Sequence, residues 1–356
     1  MEERLSRTFD ILRFPLAVWV VLIHSGWSEV VISGVTYGSG NLPIFRFLSH
    51  LICVALGGIV VPTFLFISGY LFFRSGTLSR DEYQRKIKRR MRSLVIPYFV
   101  WNVIVLLFSF IYQSILAQRG YVFGSVKPVF DYSIADFFHA FWDIKSGAPI
   151  CFQLWYVRDL IILSILSPLI GFLLTSGKKV GCAVVLLIVY GVYVTYWPSF
   201  PPSWSSVLYF IMGGACSLYQ FRIVDGFSSP ITRVVLLYPL LFVALFLKGD
   251  ISWLMASWPV GVLFLLNCVY LLPQTKIDLP SGLKKLAGIS FFLYCIHEPL
   301  LTTLRKVTYL IIQPSSDLVF LCIWIGDAIV LVTFAVVLGL LIQTRANRLW
   351  AVLNGR

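Results

Sequence analysis

Charge is scarce in this sequence. Aspartate, glutamate, lysine and arginine make up 13% of the 356 residues, about half the share found in a typical soluble domain. That excludes an ordinary water-soluble fold and, with 58% hydrophobic residues, leaves a polytopic helical membrane protein. Histidine is scarcer still, at four; two of the four lie in apolar runs, which argues against a zinc site. The seven cysteines are scattered, with no CxxC pair, and read as small buried hydrophobes rather than as a disulfide framework or metal ligands. No repeat of fixed period is visible, so a transporter built from two similar halves gains no support. Acidic residues number 16 against 29 basic ones. The resulting +13 does not mark a nucleic-acid partner, because the basic residues sit in short loops between apolar segments. No cleavable leader is expected either: residues 1–7 are too polar and no clear small-x-small site ends the run that follows. That run reads as a retained first span.

A span needs about 20 apolar residues, and on that measure the fold class is all-α, a transmembrane bundle of about ten spans. The expected segments are 11–32, 51–73, 94–116, 152–174, 180–198, 204–221, 232–249, 251–272, 287–312 and 318–344, in a single domain over 1–356. The intervening segments alternate in charge. One set carries twenty Lys/Arg and the opposite set only Arg46, Arg119, Lys127, Lys145 and Lys248. By the positive-inside rule both termini are cytoplasmic.

The first span carries Asp10, Arg13 and His24. Eleven residues return an α-helix to within about 20° of its starting direction, so Arg13 and His24 share a face about 16 Å apart, with Asp10 one turn before Arg13. Ionisable groups in a membrane helix are costly and face a bundle interior or a watery cavity, so an aligned set marks a candidate site. In the ninth span Ser290, Tyr294 and His297 fall at i, i+4 and i+7 on one face, followed by Glu298. Counted from the cytoplasmic edges, His24 and His297 lie at depths within about 6 Å of each other. They are therefore candidates to line one cavity, with Asp327 of the last span as a candidate partner.

Other features carry weaker signals. Arg85 to Arg92 is a basic cytoplasmic run suited to anionic headgroups, yet its guanidinium forks also match phosphate oxygens. Arg89 and Arg92, three apart, are expected to share a helix face. Ser68 and Gly69 suit close helix packing. Residues 132–142 read as an interfacial helix roofing a site, with Ser133 and Asp136 as its capping pair and His139 as a surface residue. Arg158 and Asp159 are neighbours, expected to face apart and to need separate partners, with Arg158 reaching the interface.

Taken in order, these pieces resemble the acyltransferase family 3 of bacterial integral-membrane acyltransferases, typified by enzymes that O-acetylate surface polysaccharides. The resemblance rests on Arg13-x10-His24 after Asp10, on Pro62-Thr63-Phe64-Leu65-Phe66-Ile67-Ser68-Gly69-Tyr70, and on Arg89-x-x-Arg92 before Pro97-Tyr98. Leu154-Trp155-Tyr156 and Ser290-Phe291-Phe292-Leu293-Tyr294-Cys295-Ile296-His297 continue it. The resemblance implies a multi-pass protein of the bacterial cytoplasmic membrane that moves an acyl group, most commonly acetyl and alternatively succinyl, from cytoplasmic acyl-coenzyme A to a hydroxyl. The acceptor is a surface glycan or its lipid-linked precursor. Acetyl-coenzyme A is then a substrate, with no tightly bound cofactor or metal, and membrane lipids are partners. Catalytic candidates are His24, Asp10 and Arg13, with His24 as general base or transient acyl carrier. Arg13, Arg89 and Arg92 are candidates for binding the donor. His297, Tyr294, Ser290, Glu298 and Arg158 are candidates for a second part of the cavity, orienting His24 or stabilising an oxyanion. The fused extracytoplasmic domain of some members is not expected here. Two other classes stay open at this stage: a transporter or flippase for a polysaccharide or its lipid-linked unit, and a scaffold for glycan assembly, in which Arg13 and His24 would be dispensable.

Overall fold

The computed structural model describes residues 2–32, 34–38, 41–76, 79–118, 127–143, 148–195, 201–221, 229–272 and 281–355. Of the basic residues used in the charge count, Arg119, Lys145, Arg222, Lys276 and Arg356 lie outside these. The described chain is almost wholly helical. In order it forms α1 (Glu2–Ser25), the hairpin β1 (Val30–Ile32) and β2 (Val35–Tyr37), α2 (Pro43–Ser49), α3 (Val60–Phe72), α4 (Arg80–Arg90) and α5 (Ile96–Gln118). Then come α6 (Ile134–Phe141), α7 (Trp155–Ile165), α8 (Ser167–Ser176), α9 (Lys178–Thr195), α10 (Trp204–Leu218), α11 (Pro230–Val235), α12 (Tyr238–Lys248), α13 (Ile251–Leu271), α14 (Ser281–Ile312), α15 (Asp317–Arg345) and α16 (Asn347–Asn354).

Among the described residues, eight helical stretches are long and apolar enough to cross a membrane, or nine if the bent pair α7 and α8 is one span. The expected span at 204–221 is the short α10, whose 15 residues reach about 22 Å, less than the roughly 30 Å hydrocarbon core. The expected span at 152–174 is broken: α7 and α8 meet at 62°, where Ser167-Pro168 opens the second helix. Proline supplies no N–H and disfavours helical backbone just before it.

Helix α1 also departs from the expected 11–32. It starts nine residues earlier because Arg4 is held at its polar end, donating to the Tyr270 carbonyl at 2.7 Å with its guanidinium 4.3 Å over the Tyr270 ring. It ends at Ser25, and Val30–Ile32 pairs antiparallel with Val35–Tyr37 around Gly34, at φ 80°. The ninth span is longer than expected and is interrupted at Glu298, whose φ −109° and ψ 136° are not helical.

Helix α1 is central, packing against α14, α15, α13 and α3. Its buried Leu5, Phe9, Leu12, Leu16 and Val20 follow the helical period and form one inward stripe. In lipid, apolar burial adds little between helices, so association depends on van der Waals fit and interhelical hydrogen bonds. The α3–α10 contact is the clearest case. A Cβ on Gly69 would lie 2.0 Å from the Phe210 carbonyl oxygen, and one on Gly213 2.0 Å from that of Phe66. Only glycine lets the two backbones touch. The opposite faces are greasy: Leu107, Ile111 and Ile115 of α5, and Leu240 and Leu247 of α12, are exposed, as a lipid-facing surface requires. The last helix, α16, folds back so that the Trp101 indole donates to the Leu353 carbonyl at 2.9 Å.

Candidate active site

The site is built where α1 stops. A helix end leaves its last carbonyls without intrahelical donors, and away from water each must find a partner. The Leu22 carbonyl accepts from the Trp324 indole at 2.9 Å, the Ser25 hydroxyl at 3.1 Å and the Cys53 thiol at 3.5 Å. The His24 carbonyl accepts from the Arg305 guanidinium. Arg305 is buried and interacts electrostatically with Glu298 and Asp327. A cation at this end also suits the negative pole of α1. The Trp27 carbonyl takes the Tyr309 hydroxyl at 2.8 Å. His24, in the last turn of α1, is thus held by its backbone while its half-buried ring projects from a fixed point.

The ring of His297 lies 5.2 Å from that of His24, and Phe152 packs edge-on against His24 at 5.3 Å. His297 is fully buried. Its Nδ1 lies 2.7 Å from the Tyr294 carbonyl oxygen. A carbonyl only accepts, so Nδ1 carries the proton and Nε2 presents a lone pair. Among the described residues that Nε2 has no hydrogen-bond partner. The break in α14 at Glu298 is braced by Gln153, whose side-chain amide donates to the Cys295 carbonyl at 3.0 Å and the Glu298 carbonyl at 3.1 Å. The Tyr294 hydroxyl returns to the Gln153 carbonyl. Gln153 is itself buried, with its Oε1 unpartnered among the described residues.

Beside this pair is a cavity of about 200 Å³. Its polar lining is Arg13, Arg90, Ser68, Tyr156, Ser290 and Tyr294; Phe64, Ile67, Leu71 and Phe291 supply apolar wall. Tyr156 and Tyr294 meet edge-on at 5.6 Å, and Tyr294 also touches His297, at 5.9 Å. Tyr294 thus joins the cavity to the histidines.

Of the residues expected from the sequence, Arg13, Ser290 and Tyr294 line this cavity, and His24 and His297 adjoin it through Tyr294. Asp10 pairs with Arg13 at 2.9 Å. Arg89 and Arg92 are exposed and are not among the lining residues, whereas Arg90 is. Glu298 accepts from the Thr302 hydroxyl at 2.7 Å and Asp327 from that of Thr308 at 3.0 Å, so both carboxylates are engaged near Arg305. Arg158 corrects the sequence reading. It is buried at 2% exposure and reaches its own neighbour Asp159 at 3.4 Å, while Nη1 donates to the Asp143 carbonyl at 3.2 Å. Adjacent Cα atoms are only about 3.8 Å apart, and the long arginine stem folds back across that gap. Asp159 also accepts from the Ser203 amide and the Ser206 hydroxyl, at 2.9 and 2.8 Å. This pair knits α7 to α10 and is absent from the cavity lining. Gln153, Phe152, Arg90 and Arg305 are site residues that pattern alone did not single out. The one signal available in the chain was polar or charged residues within apolar runs.

Among the described residues no group of three or more His, Cys, Asp or Glu is arranged to hold a metal ion.

A lipid-facing helix bundle with paired histidines beside a guanidinium-lined cavity defines a multi-pass membrane protein. Residues 7–343 match the family described as an acyltransferase domain, so the chain belongs to acyltransferase family 3 and is an acyltransferase. It is 24% identical over 323 residues to the succinoglycan biosynthesis protein ExoH of Rhizobium meliloti (strain 1021), covering 85% of this chain and 80% of that one. No solved structure matches it.

Proposed function

We propose that this chain is a membrane O-acyltransferase that moves an acyl group, acetyl first among candidates, from cytoplasmic acyl-coenzyme A to a hydroxyl of a surface glycan or its lipid-linked precursor. The observation that carries the reading is one of length. Arg13, on the cavity, and His24 are eleven residues apart on one helix, about 16 Å. The pantetheine arm of coenzyme A, from phosphate ester to sulfur, has roughly twelve bonds, the reach of about four extended residues or 14 Å. A donor whose phosphate rests in the cavity at the level of Arg13 therefore brings its thioester to the histidines, its arm passing Tyr156 and Tyr294. The Lys/Arg asymmetry of the loops supports the matching orientation, with the donor side cytoplasmic in the bacterial inner membrane and Arg89 and Arg92 on the outer approach.

The acceptor hydroxyl attacks the thioester carbonyl as His24 takes its proton. The C–S bond breaks, the proton passes to the departing thiolate, and an ester and free coenzyme A remain. His297, its ring 5.2 Å from that of His24 and its Nε2 lone pair unpartnered among the described residues, is suited to orient His24 or share the proton. An acyl-imidazole on His24 is the covalent variant of the same step. The glycan acceptor is supported by the relative named for succinoglycan biosynthesis.

Proteoliposomes test this. Acyl-coenzyme A supplied at the face bearing Arg89 and Arg92 should release coenzyme A only when a glycan hydroxyl is supplied at the other face. Release that is equal with the two substrates on the same face contradicts the proposed path.

A further inference from the structure

The cavity's second guanidinium belongs to Arg90, and we infer that Arg90 is the residue that directly grips a phosphate of the acyl-coenzyme A donor. This assignment rests on the donor reading above and sharpens it, because the basic run offers eight Lys/Arg between Arg74 and Arg92 and only Arg90 lines the cavity.

Packing of α4 selects it. Tyr83, Lys86 and Arg90, at i, i+3 and i+7, lie on one helix face. The Tyr83 hydroxyl donates to the Ile165 carbonyl at 3.0 Å. The Lys86 ammonium donates to the Phe72 carbonyl and, at 2.7 Å, to the Ser75 hydroxyl. The Arg90 guanidinium sits 5.6 Å over the Phe72 ring. At about 100° per residue, Arg89 points roughly 100° away from Arg90; Arg92 lies past the end of α4, and both are exposed.

Charge selects it too. Arg13 is already paired with Asp10 at 2.9 Å. Among the described residues no carboxylate is within ion-pair distance of Arg90. A guanidinium facing a half-open cavity without a counter-charge is costly, and a phosphate supplies that charge through a planar, two-point hydrogen-bonded contact. The hydroxyls of Ser68 and Tyr156 on the same wall add neutral donors for the remaining oxygens. A cavity of about 200 Å³ takes one phosphate and the start of the arm and leaves the nucleoside outside, toward Arg89 and Arg92.

Coenzyme A binding to the protein in nanodiscs, followed by isothermal titration, is the readout. Turnover of a phosphate-free S-acyl cysteamine is the control. Arg90→Ala should weaken coenzyme A binding about tenfold or more, as expected for losing a charge-assisted contact, at low and high salt alike. Its turnover of the phosphate-free thioester should stay within about twofold of wild type. Arg90→Lys keeps the charge and loses the fork, so it should show an intermediate loss; it carries the test where the alanine variant does not fold, and unchanged affinity there contradicts the two-point contact. Arg89→Ala should act only through a screened field and lose its effect as ionic strength rises. Coenzyme A affinity unchanged in Arg90→Ala overturns the assignment of Arg90 alone, as does an equal loss with the phosphate-free thioester, which marks a packing role over Phe72. Absence of coenzyme A binding in wild type overturns the donor reading and this assignment with it.

Discussion

Replacing Arg305 by methionine removes the cation that closes the end of α1. The variant keeps much of the side-chain volume and loses three things at once. The His24 carbonyl loses its charged donor, a hydrogen bond of about 1.5–3 kcal/mol. The negative pole of α1 loses a favourable charge, about 0.3–1 kcal/mol and up to ~2 when partly buried. Glu298 and Asp327, both 6% exposed, lose the positive charge they interact with, although each keeps a threonine hydroxyl. These effects overlap, and breaking a buried charge arrangement by removing one member costs about 3–5 kcal/mol as a whole. The assay is reversible denaturant unfolding in mixed micelles, with Asp327→Asn as the second edge of a double-mutant cycle. Asp327→Asn in the Arg305→Met background should restore at least ~1 kcal/mol relative to simple additivity. In the folded fraction kcat should fall, because the His24 ring loses its anchor, while coenzyme A binding should persist, because the cavity is bounded by other residues. Stability within about 1 kcal/mol of wild type, or strict additivity in the cycle, refutes the view that Arg305 anchors this end of the helix.

Gly69→Ala and Gly213→Ala should each destabilise the bundle by about 1–3 kcal/mol or more, since each new methyl meets a carbonyl oxygen at 2.0 Å; thermal unfolding in detergent measures it, and a neutral result at either position contradicts the backbone contact. Gln153→Ala should cost about 1–3 kcal/mol through the donors it removes from buried carbonyls and lower kcat by loosening His297, whereas a normal rate would detach the Glu298 break from the site. The Asp136 carboxyl is held below the usual carboxylate range, first by Lys127 at 2.6 Å and then by Ser133. A depressed value stabilises α6 above the ordinary carboxylate pKa of 3.8 and loses that contribution as pH falls through the folded value. Amide exchange in α6 should therefore be flat from about pH 8 to 5 and speed up relative to its intrinsic rate only below about pH 4; Asp136→Asn should abolish that acid step.

Much of this architecture is written in local pattern. The α6 cap was legible because Ser133 and Asp136 sit three apart before an apolar run, and both halves of the capping box are formed. Ser68-Gly69 announced close packing, and Gly69 meets the α10 backbone. The nearness of two histidines followed from counting residues up two helices; α1 begins nine residues and α14 six residues earlier than expected, so the count gave the nearness only coarsely, and helix packing sets the 5.2 Å between the rings. What pattern could not give is direction within a cluster. A basic run carries no mark of which arginine faces inward until α3 and α7 are packed against it, so Arg90 was hidden between Arg89 and Arg92. Neighbouring Arg158 and Asp159 were judged by backbone direction, and the length of the arginine stem decided otherwise. The end of α1 was obscured because Val30–Ile32 and Val35 are apolar in either a helix or a hairpin. Arg305 and Gln153 act on carbonyl groups, and a carbonyl needing a partner exists in sequence only as the unread end of a helix.

The central claim is that His24 carries the acyl-transfer chemistry. The direct measurement uses purified protein in nanodiscs with radiolabelled acetyl-coenzyme A and a glycan acceptor, following coenzyme A release and label retained on the protein, with wild type beside His24→Ala. Release in wild type and a fall of about 10²–10⁴-fold in a folded His24→Ala, the range for loss of a general acid–base group, is the expected result; label kept on wild-type protein alone selects the acyl-imidazole route. Coenzyme A release by folded His24→Ala at the wild-type rate contradicts the account.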